Sequence, residues 1–159
     1  MQKRFARLVS GAVDGIDALR IDVEVDSSRT GDPQIVVVGL PDAGVKESHH
    51  RVSTALANSG FEPFRGRTVV NLAPADVHKD GSLFDLPIAL AMLIASGAVE
   101  PGNPGVPDRR PRTAGAPPPP APSPRFDLAR TAFAGELSLG GELRPVRGVL
   151  PLAARSSRA

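Results

Sequence analysis

The segment 34–39 (QIVVVG) constrains the fold most: an unbroken run of β-branched residues closed by Gly39-Leu40-Pro41-Asp42. Successive side chains on a strand point to opposite faces, so such a run predicts a central strand buried on both sides. Pro41 stops it, and Asp42 is placed to cap a helix. Lys46 and Glu47 fall in the first turns of that helix. Val45, Val52, Ala55 and Leu56 give it one apolar stripe, and Gly60 ends it.

Before this unit, residues 6–13 and 18–25 alternate apolar and polar, as half-buried strands do, and Asp14-Gly15 between them predicts a hairpin turn. Residues 27–33 read as a loop. After the first helix, 67–72 (RTVVNL) is a short strand. The turn-rich stretch 73–84 then leads to a second helix from Asp85 to about Gly97, with Pro87 tolerated in its first turn. That helix is apolar nearly all round, so it should be buried. From 100 to about 125 the chain turns rich in Pro, Ala and Arg, including Arg109, Arg110 and Arg112. Such a composition cannot bury enough apolar area to offset its ordering entropy, so it reads as a disordered insert. Beyond it come a strand at 129–137, a Gly140-Gly141 turn, a strand at 142–146 and the start of a helix near Gly148. The order ββ-β-α-β-α-(insert)-β-β-α is an α+β layout. The expected division is 1–99 for the first part of one domain, 100–126 for the insert, and 127–159 for the second part.

Several function classes drop out on composition. There are no cysteines, which removes a disulfide framework, a thiolate metal site and a cysteine nucleophile. No stretch approaches the length a membrane span needs, and the basic start is interrupted by Asp14 and Asp17, so a cytoplasmic protein with no membrane partner is expected. The formal net charge of +2 is too small to argue for nucleic acid. No Gly-Lys dipeptide and no GxGxxG occur, so P-loop binding of a nucleotide by these residues is excluded. The only histidines are His49, His50 and His78, and neighbours on a helix diverge by about 100°, so no metal site is expected.

The candidate for nucleophilic chemistry is His78-Lys79-Asp80-Gly81-Ser82, a glycine turn before a helix N-terminus that could expose the Ser82 hydroxyl. Asp80 and Asp85 serve equally well there as turn and cap residues.

Three blocks carry a family resemblance: VVGLPDAGVKESHHRVSTALANSGF at 37–61, VNLAPADVHKDGSLFDLPIALAMLIASG at 70–97, and FAGELSLGGELRPVRGVLP at 133–151. They resemble the Mg-chelatase-like YifB/ComM family of AAA+ proteins. The motif positions are Gly39, Pro41, Asp42, Asn71, Pro74, Asp76, Gly81, Asp85 and Pro87. The resemblance implies a Lon-protease-like α+β fold, a two-layer sandwich of the ribosomal-protein βαβ type. It also implies an ATPase module that normally follows this domain and is absent from these residues, and only that module would take ATP and Mg. It further implies self-association as a ring and DNA branch migration during recombination of incoming DNA.

A Lon-type peptidase needs a Ser-Lys dyad. Aligned on KDGPSAG, the serine position falls on Leu83, with Ser82 in place of the proline, and the lysine position falls on Leu150. No catalytic residue is therefore expected, with Ser82 the one weak candidate. The expected binding surface, for DNA or for ring partners, is Lys46, Arg51, Lys79 and Asp80, near helix N-termini where N–H groups favour anions. A solvated helix face, with Arg51 paired to Glu47, is the alternative. The sequence stops at LAARSSRA, before the strand and helix that would complete a Lon-like domain. A truncated sheet with an open edge, prone to self-association, is the resulting expectation.

Overall fold

The alternation at the start of the chain becomes a long antiparallel pair. The computed structural model describes residues 5–14, 17–28, 30–61, 65–99, 127–128 and 130–156; the insert at 100–126 with its arginines lies outside them. The elements are β1 (Phe5–Asp14), β2 (Asp17–Ser27), β3 (Gln34–Val38), α1 (Ala43–Asn58), β4 (Arg67–Ala73), α2 (Asp85–Ser96), β5 (Glu136–Leu137), β6 (Leu143–Arg144) and α3 (Val149–Ser156). This is an α+β fold, with one four-stranded sheet in the order β1-β2-β4-β3 and a separate β5-β6 pair.

Register decides which side chains meet. Leu8 lies opposite Val23, and Val23 opposite Leu72; Ala6 lies opposite Val25, and Val25 opposite Val70. These residues share one face and are almost fully buried. α1 and α2 cover that face. α1 contributes Val45, Val52, Ala55 and Leu56 at helical spacing, and α2 contributes Ile88, Ala91 and Met92. α2 is buried nearly all round, as its composition predicts, and stops where Gly97 takes the left-handed conformation at φ +78°. α3 packs on the opposite face near the hairpin, since a Cβ on Gly11 would strike Leu152 and one on Gly148 would strike Val13. The same face carries the Arg7–Asp22–Arg20 ion pairs. Burial pushes the Asp22 carboxyl up, but the hydrogen bonds and charges of Arg7 and Arg20 outweigh it and hold the group below its ordinary value.

Two expectations are corrected. β3 is an edge strand, not a doubly buried central one: it pairs in parallel with β4 alone, and its residues are half-buried or exposed. A β-branched run satisfies one apolar face and one parallel neighbour, and its composition says nothing of its second edge. The expected strands at 129–137 and 142–146 shrink to two residues each. Their backbone is engaged elsewhere. The Leu86 N–H donates to the Gly135 carbonyl at 3.0 Å, the Gly135 N–H to Leu83 at 2.9 Å, and the Phe133 N–H to Val9 at 2.8 Å.

Gly39 is where β3 hands over to α1. Its φ is +98°, and an added Cβ would lie 2.0 Å from the Leu72 carbonyl oxygen of the neighbouring strand. Both the conformation and the space demand glycine. Gly39→Ala should cost about 2 kcal/mol or more, from left-handed strain plus a backbone clash, as read by urea denaturation. A loss below about 0.5 kcal/mol would mean that the two strands do not approach this closely.

Candidate functional site

The motif residues gather at the carboxyl ends of β3 and β4. Leu40 follows Gly39 at φ +57°, and Pro41 forms a parallel bridge to Lys79. The Asp42 N–H donates to the Lys79 carbonyl at 2.9 Å, and the Asp42 carboxylate accepts the Val45 N–H at 2.6 Å, so Asp42 caps α1 as its position predicts. Inside this junction lies the Lys79 side chain, with no solvent exposure. Its Nζ donates to the Gly39 carbonyl at 2.7 Å and to the Pro74 carbonyl. Burial pushes the Lys79 ammonium below its ordinary value, opposed by the charge of Asp76.

A second junction joins the helices. The Arg51 Nε donates to Asp85 Oδ2 at 3.0 Å, and its Nη2 to Oδ1 at 3.1 Å, a two-pronged pair. The Asp85 side chain is fully buried while that of Arg51 is 28% exposed. The Leu137 N–H donates to the same carboxylate at 3.2 Å, which draws β5 against α2. The Ser82 hydroxyl donates to Glu136, whose other oxygen lies 3.6 Å from Arg144.

The expected binding surface therefore divides. Lys46 and Asp80 are exposed. Lys79 is in the interior, not on the surface, because the carbonyls of Gly39 and Pro74 supply the oxygens its ammonium requires. Arg51 is half-buried and pairs with Asp85 rather than Glu47, because α2 brings a carboxylate to it across the helix interface. Asp85 is the first residue of α2 rather than its cap: Phe84 holds that position with no side-chain cap bond. Among the other motif positions, the Asn71 amide donates to Glu24 at 2.9 Å, Gly81 adopts φ +80°, Pro87 is buried, and Pro74 and Asp76 are exposed. Leu83 belongs to the core, and Leu150 is 81% exposed on α3.

Sequence reasoning missed Glu136 as the partner of Ser82 and Asp85 as the partner of Arg51. Both acids stand in the quoted motif blocks, which was the available signal, but nothing local names their partners. The Glu136 carboxylate is shared between the Ser82 hydroxyl and Arg144. Among the described residues no group of three His, Asp or Glu side chains is placed to hold a metal ion. No described helix is long and apolar enough to cross a membrane.

Together these features define an α+β domain in which Lys79, Arg51 and Asp85 are turned toward partners within a βαβ unit and the helix that follows it. Residues 23–104 match the family described as subunit ChlI of Mg-chelatase, and the chain belongs to that family, in its YifB/ComM-like branch. It is 37% identical over 155 residues to competence protein ComM of Haemophilus influenzae, an alignment covering 96% of this chain and 26% of that protein. It is 37% identical over 145 residues to YifB of Salmonella typhimurium, covering 91% and 24%. Against YifB of Escherichia coli it is 35% identical over 145 residues, again covering 91% and 24%. The chain thus spans about a quarter of the length of the curated relatives it matches.

Lys79 yields a pH prediction. Its folded-state pKa lies below the unfolded value of 10.5, so between the two the unfolded chain binds more protons. Stability should therefore rise with pH through that window. The background is clean, since the chain has no tyrosine or cysteine and its other lysines are Lys3 and Lys46 alone. Urea denaturation over a series of pH values below 10.5 should show the rise in the parent chain and its loss in Lys79→Met. An identical slope in both would place the lysine in solvent.

Proposed function

We propose that this chain is a non-catalytic module of a Mg-chelatase-like ATPase of the YifB/ComM kind, serving assembly of the ATP-driven ring rather than performing chemistry. The observation that carries this reading is the inward use of Lys79 and Arg51, two of the three cations expected on the binding surface. Lys79 and Arg51 bind carbonyls and a buried carboxylate, which leaves Lys46 as the one exposed cation of the expected surface. A face that contacts DNA needs several free cations, since affinity and its salt dependence scale with the phosphates neutralised. The two positions matching a Lon-type dyad are leucine, and Ser82 donates its hydroxyl to a carboxylate. ATP and Mg belong in this reading to the ATPase module and not to these residues. The name of the Haemophilus relative, a competence protein, fits a ring that works on incoming DNA, with branch migration as the work of the whole assembly.

Two measurements test the reading. Fluorescence anisotropy with branched and single-stranded DNA should show no binding that falls steeply with salt; a steep log–log slope would assign DNA handling to this module instead. Incubation with an unfolded protein substrate should give no cleavage, and hydrolysis that disappears in Ser82→Ala would overturn the non-catalytic assignment.

A further inference from the structure

We propose that the outer edge of β3 pairs antiparallel with the β3 edge of a second copy of this chain, centred on Val36. The backbone orientation supplies the register. The Gln34 N–H donates to the Gly66 carbonyl at 3.2 Å, so the polar groups of Gln34 face the β4 side. Backbone groups alternate along a strand, so those of Val36 and Val38 face the same way, and those of Ile35 and Val37 face outward. No described segment pairs with that edge. Two outward residues flanking one centre are what a two-fold antiparallel pair requires. Ile35 of one copy lies opposite Val37 of the other, and each such pair exchanges both of its backbone hydrogen bonds. Val36 then meets Val36 at the close, non-bonded position, an apolar contact on the face of the sheet opposite the two helices.

Nothing in the strand guards against this pairing. Gln34–Val38 contains no charge, no lysine, no proline and no bulge, the devices that blunt natural edges. The charges at its two ends are complementary. Among the described residues, Arg65 and Arg67 stand beside Gln34 with Asp32, all exposed, for a net positive end. Beyond Val38 stand Asp42, Asp76 and Asp80 with Lys46 and the buried Lys79, for a net negative end. In an antiparallel pair the positive end of each copy meets the negative end of the other, whereas a parallel pair would set like ends together. Exposed Val38 and Leu40, at 40% and 52%, extend the apolar part of the contact. An isologous contact of this kind closes at two copies, so it joins two chains or two rings and is distinct from the head-to-tail contact that builds a ring. It does not depend on the ATPase reading, and its test leaves that reading untouched.

The test is the mass of the chain in solution as a function of concentration, by sedimentation equilibrium, beside amide hydrogen exchange. The parent chain should reach twice its monomer mass, weaken as salt is raised, and show concentration-dependent protection at the Ile35 and Val37 amides. Val36→Lys sets like charges directly opposite each other across the axis and should reduce the mass to that of a monomer with unchanged circular dichroism. A parent chain that stays monomeric at high concentration would overturn the proposal. So would a dimer that survives Val36→Lys, or one whose Ile35 and Val37 amides exchange as freely as in the monomer; the last reading stands even if the variant does not fold.

Discussion

The Asp85 carboxylate holds three distant pieces of chain in one place. Without exposure to water, it accepts both prongs of Arg51 from α1 and the N–H of Leu137 from β5, while its own backbone begins α2. A buried charge is tolerated only when its lone pairs are met, so α1, α2 and β5 must keep their relative positions or strand an anion in the core. The asymmetry of the pair matters. Arg51 retains some contact with solvent and can be rehydrated, whereas Asp85 cannot. Lys79 plays the corresponding part at the ends of β3 and β4, where its ammonium takes the carbonyls of Gly39 and Pro74. The motif therefore reads physically as a set of clamps around a βαβ unit.

Much of this was legible in the sequence, for identifiable reasons. The hairpin follows from strict alternation, α1 from Asp42, its apolar stripe and Gly60, and α2 from an apolar segment bounded by Asp85 and Gly97. These are local signals, and local structure obeys them. What failed was non-local. The run QIVVVG looks the same whether one neighbour or two flank it, so the edge position of β3 could not be read. The segment around Gly135 was expected as a strand, yet its backbone bonds go to Leu83 and Leu86 around the start of α2 and to β1.

The candidate site shows the same division. Residue type suggested that Lys79 and Arg51 face solvent, because lysine and arginine are seldom buried unless paired. Their partners, two backbone carbonyls in one case and an aspartate 34 positions away in the other, are visible only in the fold. Ser82 was correctly found on a glycine turn at a helix start, but its acceptor Glu136 lies 54 positions on. Family membership sharpens the point: these polar residues belong to motifs that span the ChlI match and the block around Glu136, and their partners come from other parts of the fold.

That account stands or falls on whether Arg51 and Asp85 act as one unit. A double-mutant cycle of Arg51→Met and Asp85→Asn, followed by equilibrium urea denaturation, measures it directly. The account predicts strong coupling, about 2 kcal/mol or more, with Arg51→Met the costlier single change because it leaves Asp85 buried and unpaired. Costs that add to within about 0.5 kcal/mol would show that the two side chains do not depend on each other, and the clamp would be contradicted.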